Sequence, residues 1–200
     1  LDNAMKKIVG DAKAHGFYDD AILVVASDNG GCPYSGGYNY PLRGAKQYLF
    51  EGGIRVNAFV HPPNPIPDHA RGRHYEGMVH VSDWLPTLLY GVADVSPDAL
   101  DRALDGVDHW KHMIDPEQTS GSPRTEILHN IDLWSLYQYG NMTLLSTPVQ
   151  AIRVGDWKLF TGQDASKWYE PESSPCAEGT GYCTPTYEST DDCSFSYSDT

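Results

Sequence analysis

Two hundred residues with 40% hydrophobic and 12% aromatic content are enough to bury one substantial core. Fourteen basic against twenty-seven acidic residues give a net charge of -13, which opposes the phosphate neutralisation behind nucleic-acid binding and argues against nucleic acid as a partner. The longest aliphatic run, Ala21 to Ala26, is far shorter than the roughly 20 apolar residues of a membrane span, so no span is expected.

The chain opens with Leu1 rather than Met, on an amphipathic stretch instead of a basic segment leading into an apolar run. It therefore reads as starting inside a domain. Leu1, Met5, Ile8, Val9 and Ala12 recur at helical spacing and Gly16 follows as a stop, which predicts a helix over residues 1 to 15. Ala21 to Ala26 has no polar alternation, the pattern of a strand buried on both faces of a parallel sheet. A second extended run is expected from Ile54 to Val60, ending at the Pro62-Pro63 break, and a third from Met78 to Val81. Ser82-Asp83 is expected to cap the next helix, with Pro86 in its first turn and Leu85, Leu88 and Leu89 on its buried face.

Residues 91 to 123 are rich in Pro, Gly, Asp and Ser around one short helix expected near Asp108 to Met113, and the architecture should change there. Thr125 to Leu128 and Gln150 to Thr161 read as strands, and Gly155-Asp156 supplies the Gly-first turn of a type II′ hairpin. A small antiparallel domain is therefore expected after the α/β part. From Asp164 onward no period is visible and the chain stops without a final element, so this end reads as truncated.

Of the cysteines, Cys32 stands alone, while Cys176, Cys183 and Cys193 lie in a Ser/Thr/Tyr-rich tail without the paired spacing of a zinc site. That favours disulfides. Asn141-Met142-Thr143 is a glycosylation sequon, and the two features together favour an oxidising, secretory-route compartment.

Ser27-Asp28-Asn29-Gly30-Gly31 directly follows the expected buried strand, and the carboxyl end of such a strand is where open α/β sheets place ligands. Asp28 offers a carboxylate and Asn29 an amide carbonyl, both hard oxygen donors suited to calcium or magnesium; the same sequence is also an ordinary turn. Three cations follow, in Pro41-Leu42-Arg43-Gly44-Ala45-Lys46 and Glu51-Gly52-Gly53-Ile54-Arg55. Arg43 could hold an oxyanion with its planar fork and Lys46 could approach one oxygen as a point charge, against the alternative of a solvated loop.

In order and spacing, Ser27 to Gly31, Gly36 to Lys46 and Glu51 to Arg55 resemble the second active-site segment of type I sulfatases of the arylsulfatase B kind. The likeness continues through Val79 to Leu88, Leu104 to Asp108, Leu128 to Asp132 and Ala151 to Leu159. It implies an alkaline-phosphatase-like α/β fold: the second part of a core, mostly a parallel sheet with flanking helices, over residues 1–120. Over residues 121–200 it implies part of a small antiparallel sheet domain with a Cys-containing, truncated tail.

The resemblance further implies a sulfuric ester hydrolase, similar to N-acetylgalactosamine-4-sulfatase, acting on a sulfated glycan or an aryl sulfate in a lysosomal or secreted setting. In that family, two aspartates and a formylglycine near the amino terminus join an Asp-Asn pair around one calcium. Only the pair, Asp28 and Asn29, is present here. Lys46 resembles the lysine that contacts the substrate's sulfate, and Arg43 a second sulfate contact. A fragment without the formylglycine segment is expected to be inactive alone. Cys32-Pro33-Tyr34-Ser35-Gly36 does not match the family's Cys-x-Pro-Ser-Arg modification sequence, so Cys32 reads as a loop thiol.

Two other readings stand beside this one: a metal-dependent phosphatase or phosphodiesterase of the same superfamily, or a non-catalytic secreted module that binds sulfated glycans. His80, Asp83 and His129 need no catalytic role, since a histidine before a helix and a capping aspartate are structural features. Trp84, Trp110 and Trp157 could stack on sugar rings but read as core.

Overall fold

A computed structural model describes residues 1–32, 36–46, 48–61, 66–115, 121–131, 135–139, 142–146 and 150–162, with backbone alone for 135–139 and 142–146. Helix α1, Asp2–Ala14, matches the expected amphipathic helix and presents no fully buried residue. Strand β1, Leu23–Ala26, pairs with β2, Ala58–His61. Between them lies the four-residue turn α2, Glu51–Ile54. The extended run expected from Ile54 to Val60 is therefore split. Ile54 closes α2, whose carbonyl at Glu51 accepts the Arg55 N–H at 2.7 Å, and β2 begins only at Ala58.

Beyond residue 66 the chain turns tightly. Met78 to Val81 forms no strand; His80 is extended and caps a 3₁₀ turn, Val81–Asp83, through a reciprocal box in which Asp83 Oδ2 accepts the His80 N–H. The 3₁₀ turn is thus capped by His80 with Asp83 as the reciprocal member of the box, and Asp83 holds the N-cap position of the helix that follows without a side-chain bond to it. Helix α3, Trp84–Pro86, continues into a π-helical stretch, Thr87–Val92. Leu85, expected on the buried face, is 52% exposed, while Pro86 and Thr87 face inward. Helix α4, Trp110–Ile114, follows, with Asp108 Oδ1 accepting the Trp110 N–H at 2.7 Å at its start.

The strands after residue 121 include two antiparallel pairs. β3, Glu126–Ile131, β6, Gln150–Val154, and β7, Trp157–Thr161, form one sheet in the order β3-β6-β7. β6 and β7 are joined by the two-residue turn Gly155-Asp156, a connection only antiparallel strands allow, and Gly155 has the positive φ of 54° that a Gly-first turn demands. β4, Ser135–Tyr139, and β5, Met142–Ser146, pair antiparallel with Ser135 opposite Ser146. The molecule is a mixed α/β protein. Among the described residues no helix is long and apolar enough to cross a membrane.

The chain divides into two compact units. Unit 1 comprises Leu1–Leu23, Val60–Leu128 and Ile152–Leu159; unit 2 comprises Val24–Phe59, His129–Ala151 and, among the described residues, 160–162. The centre of unit 1 is polar: Asp83, His109 and Thr87 are at most 1% exposed. The Asp83 carboxylate accepts from Arg124 Nε at 2.7 Å and Nη2 at 2.6 Å, and from the backbone N–H groups of His80 at 2.7 Å and Val107 at 2.9 Å. His109 Nε2 lies 3.1 Å from Asp83 Oδ2, and its Nδ1 lies 2.9 Å from the Tyr75 hydroxyl.

A carboxylate taken out of water must find partners, and this one has four. Burial pushes the Asp83 carboxyl up, but the Arg124 hydrogen bonds and the His80 and Val107 amides outweigh it and hold its pKa at about 2. Burial lowers the His109 pKa, with Asp83 opposing, and burial raises that of Tyr75. Arg124 is raised by its bonds to Asp83.

Candidate functional site

The residues singled out between positions 27 and 55 all lie in unit 2. Asp28 and Asn29 leave the carboxyl end of β1, Asp28 exposed and Asn29 half-buried. The turn is closed locally: Asp28 Oδ1 accepts the Asn29 N–H at 2.9 Å, Ser27 Oγ donates to the Asn29 carbonyl at 2.9 Å, and Asn29 Nδ2 donates to the Gly30 carbonyl at 2.8 Å. With Nδ2 so engaged, the Asn29 carbonyl Oδ1 and the second Asp28 oxygen are the acceptors left over. One anionic and one amide oxygen are hard donors of the kind calcium takes, so the pair fits such an ion as part of a larger ligand set. No cluster of three or more His, Cys, Asp or Glu able to hold a metal occurs among the described residues.

Two backbone contacts bring the later motifs onto this turn, and a third joins those motifs to each other. Lys46 N–H donates to the Gly31 carbonyl at 3.1 Å, Gly30 N–H to the Gly53 carbonyl at 2.8 Å, and Gly52 N–H to the Arg43 carbonyl at 2.7 Å. The approach is close enough that glycine is obligatory. A Cβ on Gly30 would collide with the Gly52 carbonyl, and one on Gly52 with the carbonyls of Gly44 and Arg43. The Gly-Gly pairs at 30 and 52 therefore exist to let two stretches of main chain touch, which sets Lys46 and Arg43 in the same loop cluster as Asp28 and Asn29.

The two cations are held differently. The Arg43 guanidinium sits over the Phe50 ring, its central carbon 4.2 Å from the centroid, and Phe50 stacks on Phe160 with centroids 4.6 Å apart. A planar cation on an aromatic face keeps its edge groups for other partners. Lys46 is a half-buried residue anchored through its backbone, and its ammonium enters no ion pair among the described residues. Such a cation is a ready counter-charge for an oxyanion.

Other expected positions resolve as structural or lie elsewhere. His80 and Asp83 form the capping box of unit 1, and Asp83 is also the buried ion-pair partner of Arg124, which is the structural reading. His129 is half-buried on β3 in unit 2. Asn141, Cys176, Cys183 and Cys193 lie outside the described residues. Cys32, read as a loop thiol, is instead disulfide-bonded: a sulfur in an S–S bond has no free thiol to titrate or react.

Sequence reasoning missed Asn39, Tyr75, Thr87, His109 and Arg124. No local signal marks them, because each acts through a partner distant in the chain. The exception is Asn39, eight residues from Gly31, whose sequence cue is its place within the Gly36 to Lys46 segment.

Comparison with known proteins places the chain among sulfatases. The Sulfatase family model matches residues 1–93. The chain is 39% identical over 180 residues to arylsulfatase J from Mus musculus, covering 86% of this chain and 29% of that protein. It is 31% identical over 123 residues to N-acetylgalactosamine-6-sulfatase from Canis lupus familiaris, covering 60% of this chain and 23% of that protein. Among solved structures it resembles Ps i-CgsB, crystallised in complex with k-i-k-neocarrahexaose, with a TM-score of 0.55 and 27% sequence identity, over 80% of this chain and 32% of that one. The chain thus spans less than a third of the length of these curated relatives. With a family model matched over residues 1–93, a related arylsulfatase over 86% of the chain and a shared fold, this chain belongs to the sulfatase family.

Proposed function

We propose that this chain provides part of the active site of a formylglycine-dependent sulfatase that hydrolyses sulfate esters of glycans or aryl alcohols. In this reading Asp28 and Asn29 are two of the oxygen ligands of a calcium ion, and Lys46 and Arg43 bind the sulfate. The remaining ligands and the nucleophile come from an amino-terminal part of the same enzyme, so these 200 residues alone have no turnover. The single observation that supports the reading best is the bond from the Lys46 N–H to the Gly31 carbonyl, which joins the lysine loop to the turn bearing the two oxygen donors.

The chemistry follows from charge. As a sulfur–oxygen bond breaks, negative charge grows on the ester and leaving oxygens, and a preorganised ammonium such as that of Lys46 favours that state over the ground state. Arg43, braced on Phe50, orients the anion. Calcium, when bound, would add charge neutralisation at the sulfate oxygens. Arylsulfatase J and N-acetylgalactosamine-6-sulfatase carry the two substrate classes in their names, and N-acetylgalactosamine 4-sulfate in a glycan is the substrate favoured here. A secreted or lysosomal setting, glycosylation at Asn141 and a disulfide-containing tail complete the proposal.

The test is Lys46→Ala in the full-length enzyme, assayed on a chromogenic aryl sulfate and on a sulfated N-acetylgalactosamine. Removing one preorganised donor should lower kcat by about a hundredfold with an unchanged melting temperature. Normal turnover by the folded variant would refute the sulfate-site assignment.

A further inference from the structure

The side chain of Asn39 is bonded to both halves of the candidate site. Its Oδ1 accepts the Gly31 N–H at 2.7 Å, and its Nδ2 donates to the Gly31 carbonyl at 2.8 Å and to the Gly44 carbonyl at 3.3 Å. Gly31 stands two residues after Asn29, and Gly44 lies between Arg43 and Lys46. The Gly31 carbonyl that receives the amide of Asn39 also receives the Lys46 N–H. Asn39 is itself fixed in a turn, its carbonyl accepting the Leu42 N–H at 2.8 Å.

We propose that Asn39 is a positioning residue that sets the spacing between the Asp28-Asn29 oxygen donors and the Lys46 ammonium. A primary amide carries one acceptor and two donors in a single plane, and here one face pairs with both backbone groups of Gly31 as a neighbouring strand would, while the second amide hydrogen reaches the opposite loop. A carboxylate of the same shape can accept from the Gly31 N–H but would set an oxygen against two carbonyl oxygens. Glutamine has the right groups on a stem one methylene too long. Asn39 touches no reacting atom in this arrangement; it acts through Lys46.

The inference rests on the sulfatase reading above, and the experiment separates the two. Asn39→Asp, Asn39→Ala, Lys46→Ala and the double variant Asn39→Ala/Lys46→Ala are prepared in the full-length enzyme, and kcat and KM are measured on a chromogenic aryl sulfate with the melting temperature of each preparation. Misplacing a charge by about 1 Å costs on the order of a hundredfold, so Asn39→Asp and Asn39→Ala should each lose about that factor, chiefly in kcat.

If Asn39 acts through Lys46, the double variant should be no slower than Lys46→Ala alone, because coupled residues are not additive. Losses that multiply in the double variant, or wild-type kcat in both single Asn39 variants, overturn the proposal. So does failure of both variants to fold, which would make Asn39 a determinant of the fold alone. Should Lys46→Ala retain normal turnover, the sulfate-site reading fails first.

Discussion

Arg124 closes on Asp83 in a parallel, two-point pair, Nε to Oδ2 at 2.7 Å and Nη2 to Oδ1 at 2.6 Å, around a carboxylate with no exposed surface. The pair spans 41 positions of chain and ties the segment entering β3 to the turn that starts α3. Because the charge is buried, its partner matters more than the pair's net contribution.

Arg124→Met should therefore destabilise unit 1 by about 3 kcal/mol, leaving Asp83 with His109 and two amides for a full negative charge. Arg124→Lys should recover only part of the loss, since an ammonium cannot make both bonds at once. Urea denaturation of the full protein measures both; a cost within that of ordinary surface changes, roughly 0.5 kcal/mol, would show that the pair does not support the fold.

Acid should weaken the same unit from two sides. Asp83 has a folded pKa of about 2 against 3.8 unperturbed; this lowered carboxylate contributes fully above about 3.8, and its contribution is lost as pH falls through 2. His109 is held below its ordinary 6.5, so the unfolded chain takes up its proton first and stability declines as pH drops below 6.5. Both slopes have one sign: stability rises with pH. His109→Gln should flatten the melting-temperature profile just below pH 6.5 while leaving the steeper loss below pH 4. An unchanged profile would assign the upper slope to other groups.

Gly30 and Gly10 should respond in opposite directions to the same substitution. A Cβ on Gly30 meets the Gly52 carbonyl, whereas one on Gly10 in α1 meets nothing within 4 Å. Gly30→Ala should cost about 2 kcal/mol through overpacking and spread the two loops of the candidate site. Gly10→Ala should gain roughly 0.5 to 1 kcal/mol from helix propensity. Thermal denaturation decides; equal small effects at both positions would contradict the close approach of residues 30 and 52.

Calcium should bind the isolated 200-residue chain weakly, because the ion takes about 6 to 8 oxygens and Asp28 with Asn29 supplies a minority of them. Isothermal titration with calcium chloride, repeated on Asp28→Ala, measures this. A tight, one-to-one site abolished by the substitution would place the remaining ligands within this chain.

Local chemistry made part of the protein legible in its sequence. The 3.6-residue spacing of Leu1, Met5, Ile8 and Ala12 gave α1, the unbroken aliphatic run at Leu23 to Ala26 gave β1, and Gly155-Asp156 gave the β6–β7 turn, because periodicity and turn chemistry are written in neighbouring residues. Position also marked Asp28 and Asn29, which stand just beyond the carboxyl end of β1, although that strand is only half-buried and its last residue, Ala26, is exposed. Tertiary structure decided the rest. The helical turn at Glu51–Ile54, whose last residue reads in the sequence as the start of an extended run, forms where Gly52 and Gly53 meet the chain at Arg43 and Gly30. Asp83 looked like a helix cap and is also the buried partner of Arg124 and His109, at 41 and 26 residues' distance. Asn39 lies within the Gly36 to Lys46 segment without a role that the segment announces, and its three bonds exist only once the loops at Gly31 and Gly44 converge. Pairings of that kind leave no period in a sequence, since what selects them is the cost of an unpaired polar group in a place that folding creates.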